Sequence, residues 1–231
     1  PRQYEPAWQG KLTYGAANAD AVLYSTPDLA PHVAHLTDSG IYFPITIRLS
    51  DAPEWVPVPH RVIFCSRWDD VKGAREQLEV ARLLRDSLPD VELVGLDWGE
   101  RSQEAMAAGV KLVPKMPPVE FRQWLATASV VVGQMTSILS VSELEALAIG
   151  VPLVSSADPA FYPSLNHLSG NDPQVVTRDV VRALDDPHTA SAQQDGPAFI
   201  AADHDARVGV ERLIEVYGAV IDAAESDQRR V

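Results

Sequence analysis

Arg67, Lys72 and Glu145 have the types and neighbours suited to holding a phosphorylated ligand. Arg67 and Lys72 sit in Ser66-Arg67-Trp68-Asp69-Asp70-Val71-Lys72-Gly73, between an apolar run and a helical pattern. A guanidinium and an ammonium at such a junction can flank a diphosphate, with a helix start behind them. The plainer reading pairs the same cations with Asp69, Asp70 or Glu76 on a solvated surface. Glu145 belongs to Ser140-Val141-Ser142-Glu143-Leu144-Glu145-Ala146-Leu147-Ala148-Ile149-Gly150-Val151-Pro152. Ser140 and Glu143 have capping-box spacing, which starts a helix at Ser140. Gly150 suits the left-handed residue past its end, and Pro152 forbids continuation. The open amides and the dipole at that start favour an anion. Glu145 lies about one turn inside, within reach of a ligand held there; the alternative is an exposed charge on a short helix. Glu143 serves the cap and points about 200° around the helix from Glu145.

The elements that must position these groups follow from the apolar pattern. Val62-Ile63-Phe64-Cys65 reads as a buried strand and Gly73 to Leu88 as a helix, with Leu78, Ala81, Leu84 and Leu88 on one face. Val91 to Leu96 is a second strand, followed by a short helix from Ser102 to Ala108. Val110 to Pro114 is a third strand, leading to a helix from Pro117-Pro118 to about Ala128. Val130 to Gly133 and Pro152 to Ser156 are the fourth and fifth strands, on either side of the Ser140 helix. Strands alternating with helices predict an α/β domain with a parallel sheet covered on both faces. Ligands bind such sheets at the carboxyl ends of the strands, so the loops after Ser66, Leu96, Pro114 and Gly133 are the ones that matter. Lys115-Met116 lies in one of them. It can hold a nucleobase through backbone groups and the Met side chain, or be a plain turn ahead of Pro117.

Both ends of the chain read differently. Asp20 to Thr26 is a candidate strand, Pro27 to Leu36 a helix capped by Thr26, and Ile41 to Ile47 a strand weakened by Pro44. Ala52 to Pro59 is a stiff, proline-rich connector and the expected domain boundary. Val175 to Leu184 and roughly Ile200 to Ala224 are helical. His32 and His35 fit a solvated helix face better than a metal site, having no partner carboxylate.

The net charge of −13 argues against nucleic acid or an anionic membrane surface as the main partner. Only Lys11, Lys72, Lys111 and Lys115 supply ammonium groups, which gives weight to those at strand–helix junctions. Cys65 is the single cysteine and reads as a buried, inert thiol. No apolar run approaches the roughly 18 residues of a membrane span, so no transmembrane segment is expected. The chain begins at Pro1 and reads as a piece of a longer protein.

These motifs carry a resemblance. Arg67 to Gly73 resembles the Gly-Arg-…-Glu-Lys-Gly loop of the retaining, group 1 (family 4-like) glycosyltransferases of GT-B fold. Leu144 to Val154 is similar to their Leu-Glu-Ala-Met-Ala-x-Gly-x-Pro-Val-Val, Leu93-Val94-Gly95 to their mid-sheet strand, and Phe121 to Val132 to their following helix and strand. Ala19 to Val22 and Ser25-Thr26-Pro27 resemble the end of their acceptor-binding domain. The resemblance implies a Rossmann-like C-terminal domain at 59–205, a remnant of the N-terminal domain and linker at 1–58, and a C-terminal helix at 206–231. It implies transfer of a sugar from a UDP- or GDP-sugar to an acceptor hydroxyl, without metal or other cofactor, in cytoplasmic polysaccharide or glycolipid synthesis, a setting that allows a position at the membrane periphery.

Under the resemblance, Arg67 and Lys72 hold the donor diphosphate and stabilise the departing nucleotide. Glu145 accepts bonds from the ribose, amides around Leu139, Ser140 and Val141 contact phosphate, and Lys115-Met116 holds the base. One position departs: the family's second glutamate, eight residues before Glu145, is Ser137 here, and its Gly-Phe-Gly is Ile138-Leu139-Ser140. Serine can bond a sugar hydroxyl but carries no charge. The rival reading is a non-catalytic nucleotide-binding or scaffolding module on the same fold. Most of the acceptor domain is expected to lie outside this chain. The isolated chain is then inactive, and Val208, Leu213, Val216 and Val220 of the last helix are left partly exposed.

Overall fold

The computed structural model describes residues 6–228. It divides into a larger unit, Ile47–Asp203, and a smaller one built from both ends of the chain, up to Thr46 and from His204 onward.

The smaller unit starts with a helix that the sequence reading did not foresee, α1 (Pro6–Ala17). Strand β1 (Val22–Tyr24) pairs in parallel with β2 (Gly40–Tyr42), and their Tyr24 and Tyr42 rings meet at 5.5 Å. The connection between them begins as a 3-10 turn, Pro27–Leu29, before α2 (Ala30–Ala34). Thr26 precedes that turn but makes no side-chain cap bond. β2 is shorter than expected: Phe43 N–H still donates to Tyr24 O at 2.8 Å, and the next residue, Pro44, has no N–H to continue the ladder. The C-terminal helix runs over Ala206–Gln228. Val208, Leu213, Val216 and Val220 are half-buried on it, while Val210, Ile214, Tyr217 and Ile221 form the exposed stripe.

The larger unit is a parallel sheet of β3 (Arg61–Phe64), β4 (Glu92–Leu96), β5 (Lys111–Val113), β6 (Val130–Val132) and β7 (Leu153–Val154), in the order β5-β4-β3-β6-β7. The runs Val62-Ile63-Phe64 and Val130-Val131-Val132 are wholly buried, as β-branched and aromatic strands sandwiched between helices must be. Helix α3 (Ala74–Ser87) turns Leu78, Ala81 and Leu84 onto one face of the sheet. Next come α4 (Ser102–Ala107), α5 (Pro118–Leu125), α6 (Val141–Ile149) and α7 (Pro173–Asp185), the last adding Val176 and Val180 to the α3 side of the core. Each fully buried Leu or Val contributes roughly 1.5–3 kcal/mol.

Three sequence expectations shift here. The proline-rich connector is part of the larger unit: Val56 N–H and Val58 N–H donate to Ala126 O and Thr127 O at 3.1 and 2.9 Å, and Trp55 Nε1 donates to Ala128 O at 2.8 Å. Non-proline positions between the prolines keep the donors that anchor it, and the break between units comes at Thr46/Ile47. The helix expected from Ile200 starts at Ala206, after a π turn over Ile200–His204. Before it lie α8 (Pro187–Gln194) and α9 (Gly196–Phe199), which the sequence reading left unassigned. β7 is shorter than its expected span, and Gln194 flanks it: Leu153 N–H donates to its Oε1 and its Nε2 donates to Leu153 O, both at 2.8 Å.

Strand order reverses between β3 and β6. A crevice opens at such a switch point, at the carboxyl ends of the strands.

Candidate functional site

The crevice gathers most of the residues marked in the sequence. Arg67, Lys72, Lys115, Met116, Ser140, Val141 and Glu145 line one cavity of about 510 Å³, with Cys65, Trp98, Phe121 and Gln134 among their neighbours. A larger hollow of about 920 Å³ in the smaller unit contains none of these positions.

The loop after β3 is tied to the loop after β4. Trp68 is fully buried; its N–H donates to Trp98 O at 2.8 Å and its Nε1 to Leu96 O at 2.9 Å. The chain then turns through a 3-10 segment, Asp70–Lys72, into Gly73 at φ +69°, where a methyl group would collide with Met135. Lys72 O accepts from Met135 N–H at 3.1 Å and from Gln77 Nε2 at 2.8 Å. The loops after β3 and β6 are thereby fastened to each other.

The two cations differ in their partners. Arg67 Nε contacts Asp69 at 3.0 Å, one of the pairings the plainer reading allows, while the residue also lines the cavity. Asp70 instead pairs with Arg101 at 2.6 Å. Lys72 makes no ion pair among the described residues. Burial, and then the nearby Arg67 charge, lower its pKa from the ordinary value, with Glu143 opposing them. An anion between Arg67 and Lys72 would relieve that repulsion.

Helix α6 begins at Ser140, whose N–H and Oγ both point to Glu143 Oε2, at 2.8 and 2.7 Å. The capping box is present as expected, and Gly150 ends the helix at φ +84°. Glu143 is completely buried, and its Oε1 accepts from Ser155 Oγ at 2.6 Å. Gly133, at the end of β6, has no room for a Cβ because the Glu143 carboxylate fills that space. Desolvation raises the Glu143 pKa despite the donors around it. With Ser140 N–H occupied, the first-turn amides of Val141 and Ser142 remain for a ligand, having no partner within the helix.

Glu145 is half-buried and lies 3.5 Å from Arg122 of α5. Burial raises its pKa, with Arg122 opposing the shift. Two marked residues stand outside the cavity lining. Ser137 is exposed, and its carbonyl accepts from Asp158 N–H at 2.9 Å. Leu139 is buried, and its N–H donates to the Tyr162 hydroxyl at 3.0 Å, so this amide is already committed within the protein.

Trp98 was missed in the sequence. Its signal was position alone: an aromatic residue just past the carboxyl end of β4. Lys115 Nζ stands 4.1 Å and Arg67 Cζ 5.7 Å from its ring centroid.

Sheet order, switch-point crevice and capped α6 together define the class: this is the fold of the GT-B glycosyltransferases. Among solved structures it is similar to HepE of Anabaena in complex with UDP and glucose (TM-score 0.77, 14% identity, 94% of this chain and 68% of that one). It is also similar to TarM of S. aureus in a complex containing UDP (0.74, 14%, 91% and 46%) and to sucrose-phosphate synthase of Thermosynechococcus elongatus (0.72, 16%, 93% and 62%). The chain therefore spans less than half of TarM and about two thirds of HepE. At these identities the likeness is one of fold. No protein-family model and no curated protein matches the sequence. No helix among the described residues is long and apolar enough to cross a membrane.

Proposed function

We propose that the chain binds a nucleoside-diphosphate sugar and forms the donor half of a glycosyltransferase acting on an acceptor hydroxyl. The observation that carries the reading is the convergence of Arg67, Lys72, the α6 start and Glu145 on one cavity. A diphosphate has the charge and span to meet the two cations and the first-turn amides together. Glu145 lies close enough to accept from ribose hydroxyls, in exchange for its long contact with Arg122.

Transfer breaks the bond from the anomeric carbon to the diphosphate oxygen. Negative charge then grows on the leaving nucleotide, where Arg67, Lys72 and the helix start stabilise it. Lys72 suits this role because it makes no ion pair among the described residues. In a retaining, metal-independent course the acceptor hydroxyl attacks the face the nucleotide leaves, and its proton passes to the departing phosphate.

Titration of the 231-residue chain with UDP and GDP tests the binding step. Combined Arg67→Ala and Lys72→Ala should weaken the preferred nucleotide on the order of 100-fold, from two lost charge-assisted bonds. Unchanged affinity overturns the reading. The rival, a nucleotide-binding module without turnover, draws support from Ser137, which is uncharged and outside the cavity lining. Turnover of the donor, as against binding alone, separates the two.

A further inference from the structure

Arg122 stands outside the lining of the candidate cavity, next to Glu145, which is part of that lining. It comes from the last turn of α5, the helix packed beside α6. Its guanidinium is shared: Nη1 lies 3.5 Å from Glu145 Oε1 and Nη2 lies 3.8 Å from Asp51 Oδ2. Asp51 ends the 3-10 turn Leu49–Asp51 and also meets the exposed Arg48 at 3.4 Å. The Arg122 and Glu145 side chains are each only 15% exposed. A guanidinium this far out of water is costly without a partner, and carboxylates on two other elements supply one. With two partners Arg122 closes tightly on neither. A carboxylate has about four acceptor positions, so one long contact leaves most of those on Glu145 open to a ligand.

We propose that Arg122 is a positioning residue: held by Asp51, it fixes the Glu145 carboxylate to accept two neighbouring hydroxyls at once, and thereby selects ribonucleoside over 2′-deoxyribonucleoside diphosphates. This rests on the proposed function and deepens it. Arg122 acts on the ligand only through Glu145. Two donating hydroxyls need an ionised carboxylate, since a protonated one is itself a donor at one oxygen. Burial disfavours the ionised form of Glu145 most; Arg122 from α5 favours it, and Asp51 from the 3-10 turn disfavours it. Arg67, Lys72 and Lys115 are the other charged groups in the cavity lining. Removing Arg122 therefore moves ionisation of Glu145 to higher pH, and the preference for ribose moves with it.

Titration of the intact chain with UDP, 2′-deoxy-UDP and inorganic pyrophosphate across a range of pH tests the assignment, with GDP and 2′-deoxy-GDP in parallel. The ratio of ribo to deoxy affinities cancels any titration of the shared diphosphate. The wild type should prefer the ribonucleotide about tenfold or more, the usual worth of a hydrogen bond to a charged group. In Arg122→Gln that preference should set in at higher pH than in the wild type. Arg122→Lys restores the charge and should bring the onset most of the way back. Pyrophosphate has no ribose and should bind both variants as it binds the wild type. The proposal is overturned if Arg122→Gln keeps the wild-type preference at every pH, if raising the pH restores none of it, or if pyrophosphate is lost equally, the mark of a merely structural role. A wild type that binds ribo and deoxy nucleotides alike also overturns it and leaves diphosphate binding standing. A wild-type chain that binds no nucleotide at all instead overturns the function proposed above.

Discussion

Glu143 has its chemistry altered by its surroundings. Burial raises its carboxyl above the ordinary 4.5, outweighing donation from Ser155 and Ser140. The folded chain therefore holds a proton that the unfolded chain releases as pH rises past 4.5. Its contribution to stability is full below that value and is lost as pH rises through the raised folded value. Glu143→Gln removes the titration. Relative to the wild type, this variant should gain stability as pH rises above 4.5, measured by urea unfolding. Parallel pH profiles for the two proteins would show that burial of the charge is not what matters. Gly133 belongs to the same contact. Gly133→Ala drives a methyl into the carboxylate and should cost about 1–3 kcal/mol. Adding Glu143→Ala removes the obstacle, so the double variant should be more stable than the summed single effects predict.

Among the elements, β7 depends on a side chain for its outer edge. A strand at the rim of a sheet leaves backbone donors and acceptors open, which invites pairing with other chains. Gln194 closes this edge by bonding both backbone groups of the buried Leu153. Gln194→Leu keeps the volume and removes both bonds. It should destabilise the chain by about 2 kcal/mol or more, through two unsatisfied buried groups, and increase aggregation at the unfolding midpoint. Unfolding free energy and light scattering check the two parts. A neutral result would mean that water reaches Leu153 and replaces the glutamine.

At the scale of the whole molecule, every residue of the candidate site lies within Ile47–Asp203. The central strands β3 and β6, the capped α6 and the loop carrying Arg67 and Lys72 are all internal to that unit. A chain of residues 47–203 should then bind the preferred nucleoside diphosphate within about threefold of the affinity of the full sequence. A folded 47–203 unit, by circular dichroism, that has lost this binding would place part of the site elsewhere. The overall charge of −13 does not oppose a local anion site, because Arg67, Lys72 and Lys115 converge on one sheet edge.

By itself the sequence determined what short-range physics controls. Buried strands followed from apolar runs, α6 from Ser140, Glu143 and Gly150, and the crevice from the rule that parallel sheets bind ligands at their carboxyl ends. That rule is why Arg67, Lys72, Lys115, Met116, Ser140, Val141 and Glu145 could be grouped in advance although up to 78 positions separate them. Tertiary structure alone decided which polar groups were already engaged. Leu139 N–H meets a hydroxyl 23 residues away, Glu145 meets Arg122 across the same separation, and Gln194 reaches 41 residues back to β7. Trp98 meets Arg67 and Lys115 only because the fold brings the end of β4 beside them. No periodicity encodes such meetings: each depends on how helices and strands pack, and packing is set by the whole core at once.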